Sequence, residues 1–203
     1  VVLSRGNGKA PLAAGVARLL AVDDLPIIPE AQVYCFAGSK KQAGIVLKNL
    51  KNQVKSNPSL LQDVIIKERV VEHIPTGAFV ESMSSEATTA DGLIIHGAVL
   101  DELHEWPDYY KPLLEKIDSG LKRKESLRVV ISTNGDDQSV LFNNEMDYAK
   151  EVLNPDGAFN DEQFFGCIAE ADRYRDCPDC AGKSKTCKCR ACRSTRKVER
   201  PIT

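Results

Sequence analysis

Three short stretches carry residue types suited to handling a phosphate group. Ser4-Arg5-Gly6-Asn7-Gly8-Lys9 joins two glycines, an arginine and a lysine just ahead of a helical pattern. Glycines let backbone N–H groups approach phosphate oxygens, a helix N-terminus favours negative charge, and a lysine here reaches the outer phosphates of a nucleotide. Against the full pattern G-x-x-x-x-G-K-[ST], the first glycine position falls on Leu3 and the final hydroxyl position on Ala10. Gly6 and Gly8 still supply flexibility, so the second departure weighs more: that hydroxyl ordinarily ligates Mg²⁺. On this reading Gly6, Asn7, Gly8, Lys9 and Ala10 would bind the nucleotide; a surface turn capping a helix is the plainer alternative.

The second stretch, Ala98-Val99-Leu100-Asp101-Glu102-Leu103-His104-Glu105, sets two carboxylates at the end of an apolar run. Asp101 suits a Mg²⁺ ion, held directly or through water, and Glu102 suits orienting and deprotonating an attacking water. A solvated acidic turn is the alternative. For His104 the simpler expectation is an exposed histidine at a helix start; the other is a sensor of the site. The third stretch, Ser132-Thr133-Asn134-Gly135, follows apolar Val129-Val130-Ile131. Its hydroxyl and amide groups can hydrogen-bond a terminal phosphate or a catalytic water, although the same residues also favour caps and turns.

Positioning these groups requires strands that end where helices begin. Val1–Leu3 reads as the end of a strand, and Leu12, Val16, Leu19 and Leu20 recur at helical spacing with Pro11 in the first turn. Ala31–Ala37 reads as a buried strand. Ser39 then caps a helix through Ala43, Val46, Leu47, Leu50 and Val54, which Pro58 ends. Val64–Ile66, Arg69–Ile74 and Ala78–Glu81 are short strands and turns, Ser82–Gly92 a small-residue loop, and Gly97–Leu100 and Leu127–Ile131 strong strands. Helices are expected over Tyr109–Ile117 and Val140–Leu153, and a last strand over Phe164–Glu170. Alternating strands and helices give an α/β fold with a mostly parallel sheet, helices on both faces, and ligands beyond the carboxyl ends of the strands. Cys35 and Cys167, on strands, are expected as buried small hydrophobes, and Trp106 as packed where the acidic strand ends.

The net charge of −2 conceals a division. Residues 173–203 carry ten Lys/Arg and three Asp/Glu, a balance of +7, which leaves −9 for residues 1–172. Five of the seven cysteines lie in that basic tail. The expected organisation is therefore a body over 1–172 and a small Cys-rich unit over 173–203. Cys177 and Cys180 form one C-x-x-C pair, Cys189 and Cys192 a second, and Cys187 stands between as a possible substitute ligand. Two such turns can complete a tetrahedral Zn²⁺ site, although their spacing is shorter than the ~15–20 residues of common ribbons. A reduced unstructured tail and oxidised cysteines remain open. No apolar run reaches the ~18 residues of a membrane span. The chain opens on Val1 without an initiator Met, which reads as a fragment or a processed chain.

Taken in order, SRGNGKAPLAAG, AQVYCFAGSKKQAGIV, SSEATTADGLIIHGAVLDELHEW and RVVISTNG resemble the ATPase domain of the large terminase subunit of tailed bacteriophages, over about Val1 to Glu170. The resemblance implies a P-loop NTPase-type fold and an ATP- and Mg²⁺-dependent motor. In that family the motor drives double-stranded DNA into a preformed capsid, with a separate nuclease domain following. It implies Lys9 as the phosphate-loop lysine, Asp101 as the Mg²⁺ aspartate, Glu102 as the catalytic base, and Ser132 and Thr133 as the motif coupling hydrolysis to movement. Arg5 becomes a candidate for stabilising transition-state charge, and Gln42 is taken as structural. Also implied are a small terminase subunit and a portal or procapsid as partners, a homo-oligomeric assembly, and the cytoplasm of a bacterial host. Ala10 in place of the hydroxyl, the missing adenine-contacting segment and the absence of room for a nuclease domain are departures, so no endonuclease activity is expected. The second hypothesis is a catalytically weak nucleotide-binding fragment acting through its basic zinc tail on nucleic acid or a partner.

Overall fold

Among the described residues, six strands form one sheet: β1 (Gln32–Ala37), β2 (Val64–Ile66), β3 (Val70–His73), β4 (Phe79–Ser84), β5 (Gly97–Asp101) and β6 (Leu127–Ile131), in the spatial order β2-β3-β4-β1-β5-β6. The computed structural model describes residues 1–23, 28–84, 92–121, 126–135, 138–154, 156–157 and 159–169. β4, β1, β5 and β6 run parallel, whereas β2 and β3 add an antiparallel edge. β1 and β5 are the central strands and read as nearly unbroken apolar runs, as strands covered on both faces must.

Among the described residues, five α-helices cover the sheet: α1 (Lys9–Ala21), α2 (Lys40–Lys55), α3 (Pro58–Leu61), α4 (Lys111–Gly120) and α5 (Val140–Val152). Alternation along the central strands sorts the core into two layers. Val33, Cys35 and Val99 face the buried alanines of α1 and Val46, Leu47, Leu50 and Val54 of α2. Tyr34, Phe36, Ala98 and Leu100 face Leu113 and Ile117 of α4 and Leu141, Phe142 and Met146 of α5. The helix caps follow the sequence signals. Ser39 Oγ accepts from the Gln42 backbone N–H at 3.3 Å, and Pro58 opens α3 at a position where its missing N–H costs nothing. Among the described residues no helix is long and apolar enough to cross a membrane.

Val1–Leu3 extends the sheet beyond β6. The Ser132 N–H donates to Val1 O at 3.1 Å and the Leu3 N–H to Ser132 O at 3.2 Å. On its other side Val2 pairs with the segment around Ile168, through Val2 N–H to Cys167 O at 2.8 Å and Ala169 N–H to Val2 O at 2.9 Å. β6 thus lies between the strand that feeds the glycine loop and the strand that carries the acidic pair.

The α/β class, the parallel sheet and the two helical layers agree with the sequence reading, and two details differ. Ser82, Met83 and Ser84 belong to β4, not to a loop, because pairing with Cys35, Phe36 and Ala37 gives their backbone groups partners that outweigh small-residue turn preference. Cys167 is exposed where a buried thiol was expected, since its segment pairs with Val2 at the rim of the sheet and Ile168, not Cys167, packs against the core. Cys35 is buried as expected, and burial pushes its thiol up to about 12. The expected Cys-rich unit, with Cys177, Cys180, Cys187, Cys189 and Cys192, lies outside the described residues, as does most of the 82–92 segment.

Candidate nucleotide site

The glycine loop turns between Leu3 and α1. Gly6 and Gly8 have φ of 85° and 75°, left-handed values that a side chain resists, and a Cβ at either would meet only open space. Gly8 is the N-cap of α1 and supplies no side-chain bond, the first turn contains no acidic residue, and Pro11 has no N–H. The first-turn N–H groups of Lys9 and Ala10 therefore remain available at the positive end of the helix dipole. Lys9 is 7% exposed, and its ammonium donates to the carbonyls of Leu3 at 3.0 Å and Ser4 at 3.4 Å. Asn7 Nδ2 donates to Ser4 Oγ at 2.7 Å, Arg5 is exposed, and Ala10 packs at the edge of the α1–α2 core.

Asp101 ends β5 and is 5% exposed, pinned by the Trp106 indole N–H, which donates to its backbone carbonyl at 3.1 Å. Trp106 itself is buried, as the sequence indicated. Loss of water lifts the Asp101 carboxyl to about 6; the neighbouring Glu102 charge pushes the same way, while Lys9 and the Glu102 backbone N–H pull it back. A carboxylate this dry, with a lysine near, lacks enough positive charge to stay fully ionised. A divalent cation held by Asp101, phosphate oxygens and waters would supply it, and Mg²⁺ takes that kind of set, needing only one or two protein carboxylates. Among the described residues no group of three or more His, Cys, Asp or Glu forms an all-protein metal cage.

At Glu102 the chain takes φ 49° and ψ 52°, a left-handed conformation that costs a non-glycine residue about 1–2 kcal/mol. The reversal sends the side chain toward β6 instead of along β5. Its Oε2 accepts from the Thr133 backbone N–H at 3.0 Å and from Thr133 Oγ1 at 3.4 Å. Ser132 is fully buried and Thr133 8% exposed. The loop lysine, the acidic pair and the hydroxyl pair thus converge on the carboxyl ends of three neighbouring strands.

His104 departs from the simpler expectation. Its side chain is 14% exposed, and its Nδ1 lies 2.9 Å from Ser132 Oγ and 3.3 Å from Glu102 Oε2. The helix-start position was legible, but the β6 hydroxyls that enclose the ring come from a strand 28 residues away in sequence. Gln42 also does more than pack: it accepts from Ser39 Oγ at 2.9 Å and donates to the Glu105 carboxylate. A polar chain therefore runs from the N-cap of α2 along the sheet edge to Glu105 beside His104. The only signal in the sequence was spacing, since the D-E-x-H-E string puts His104 and Glu105 within a turn of Glu102.

This sheet, with its glycine loop entering α1 and its acidic pair one strand beyond β6, is of the P-loop NTPase type. The family "Terminase large subunit, ATPase domain" matches residues 1–151, and the chain belongs to it. Among solved structures, the fold is similar to that of the large terminase of bacteriophage HK97 (TM-score 0.69, 22% identity), covering 97% of this chain and 42% of that one. It is also similar to the large terminase ATPase domain of Thermus phage P74-26 (TM-score 0.53, 18% identity), covering 68% of this chain and 60% of that one. At these identities the likeness is one of fold, and the chain spans less than half the length of the HK97 protein. No curated protein sequence matches.

Proposed function

We propose that this chain is the ATP-hydrolysing motor domain of a DNA-packaging terminase large subunit. The observation that carries the reading is the placement of Glu102 beside Thr133, next to a buried Asp101 and across β6 from the Lys9 loop. Family membership supports the same reading.

Gly6, Gly8 and the first-turn N–H groups of α1 would cradle the phosphates, with Lys9 leaving Leu3 O and Ser4 O to neutralise the outer ones. Bound Mg²⁺ would draw charge from the phosphate oxygens. Asp101 would hold the ion, and ionises more readily once positive charge stands beside it. Glu102 would orient the attacking water and accept its proton, which requires its carboxylate to exchange part of its hold on Thr133 for the water. Ser132 and Thr133 would report loss of the terminal phosphate through the same bonds. Arg5, exposed on the loop, is free to swing toward transition-state charge. Double-stranded DNA would be the cargo, the small subunit and portal or procapsid the partners, and a homo-oligomer in the host cytoplasm the working form. Because residues 1–172 carry −9, attraction to DNA phosphates would come from the basic 173–203 segment or from neighbouring subunits.

Steady-state ATP turnover by the wild-type chain and by Glu102→Gln tests this. The substitution should lower kcat by about 10²–10³ and leave nucleotide affinity unchanged. Equal background rates in both proteins would remove the hydrolytic reading and favour the alternative of a catalytically silent nucleotide-binding domain.

A further inference from the structure

We propose that His104 is the positioning residue for Glu102, its Nδ1–H and the Thr133 backbone N–H together clamping the Glu102 carboxylate onto the end of β6. This rests on Glu102 being the general base. The charge of Glu102 decides where the ring proton is placed. Nδ1 faces Glu102 Oε2 at 3.3 Å, and a bare nitrogen lone pair pointed at a carboxylate oxygen would repel it, so Nδ1 is the donor. Ser132 Oγ, 2.9 Å from Nδ1, shares that donor and also accepts the His104 backbone N–H at 3.3 Å. Nε2 is left as the acceptor; Thr133 Oγ1, 3.2 Å from Nε2 and 3.4 Å from Nδ1, has one proton to divide between Nε2 and the Glu102 Oε2 that it meets at 3.4 Å. The Glu105 carboxylate stands off at 3.8 Å from Nε2 and is occupied by Gln42.

The ring is held from outside the cluster as well. Ser139 Oγ donates to the His104 carbonyl at 2.8 Å, and Phe142 of α5 meets the imidazole edge to face at 6.3 Å between centroids. His104 therefore joins three elements, β5 through Glu102, β6 through Ser132, and the start of α5 through Ser139. A shift of the Ser132–Thr133 turn moves the Glu102 carboxylate with it, which puts the base under the control of β6.

Two measurements on the full chain test this. Long-range ¹H–¹⁵N NMR of the neutral His104 imidazole should show the Nδ1–H tautomer in the wild type and a loss of that form in Glu102→Ala. An Nε2–H tautomer in the wild type would overturn the proposal, and this readout stands whether or not the chain hydrolyses ATP. In turnover assays, His104→Ala should lower kcat by about tenfold or more at unchanged nucleotide Kd. His104→Asn, whose amide nitrogen replaces Nδ1–H, should recover most of the loss; His104→Gln, which mimics Nε2, should not. A change within about twofold for His104→Ala, or equal rescue by Gln, would overturn it as well. If Glu102→Gln turns over like the wild type, the general-base reading fails separately, and the tautomer alone decides the clamp.

Discussion

The two halves of the candidate site are built on opposite plans. The half that would meet phosphate is open: two left-handed glycines with space around them, an uncapped helix start, and a lysine leaning on main-chain carbonyls. The half that would act on water is closed on itself, with Glu102, His104, Ser132 and Thr133 exchanging hydrogen bonds. Open geometry suits a ligand whose charge supplies the missing partners. Closed geometry suits groups whose orientation must already be correct, because reorganising dipoles during a reaction slows it. The contrast teaches that affinity should reside in the loop and rate in the strand ends.

The sharpest attempt to break that division is Lys9→Ala. Losing an ammonium that can reach two phosphates should weaken nucleotide binding by about 10²–10³-fold and cost about 1–2 kcal/mol of stability, from the bonds to Leu3 and Ser4 and the positive charge near Asp101. Fluorescent-nucleotide titration and urea unfolding measure the two, and a loss below about threefold would place affinity elsewhere.

Asp101 comes next. Its folded pKa of about 6 lies above its ordinary 3.8, so between those values the folded chain binds more protons than the unfolded one. Stability of the ligand-free protein should therefore fall as pH rises through that window, by about 2–3 kcal/mol in all, and Asp101→Asn should lack the dependence. Because Mg²⁺ needs the ionised form, its affinity should drop about tenfold for each pH unit below 6, measurable by calorimetry. A flat profile would mean that the closed half is wetter than its burial implies. The smallest effect is expected for Ala10→Ser, which returns a hydroxyl to the metal side of the loop. Mg²⁺ affinity or turnover should rise by about two- to fivefold, and no change in either would make that hydroxyl dispensable.

How much of this was written in the order of residues depends on the range of the forces involved. β1, β5, β6 and the helices α1, α2 and α5 follow from local periodicity, and the parallel arrangement from their alternation. The placement of Asp101 and Glu102 at the end of β5 and of Lys9 at the start of α1 was legible because strand ends and glycine loops carry local signatures. β4 was cut short because the partners of Ser82–Ser84 are in β1, and pairing energy lies outside any local window. His104 was misjudged for a related reason: whether a polar side chain after a strand is solvated depends on which strand lies alongside. β6 could be ranked as a strand from its residues, but its place between Val1–Leu3 and β5 is a matter of topology. Cys167 failed in the opposite sense, an apolar context in sequence that the fold leaves at the rim.

The resting place of Lys9 has a kinetic consequence. The ammonium is held by two carbonyls, so on the proposed reading an arriving nucleotide would compete with an internal ligand tethered a few residues away. That competitor would slow little on entry, where charge attraction is long-ranged, but it would act on exit: as phosphate departed, Leu3 O and Ser4 O would receive the ammonium at once. The loop would then be a built-in displacer, favouring prompt emptying of the site over tight retention of products.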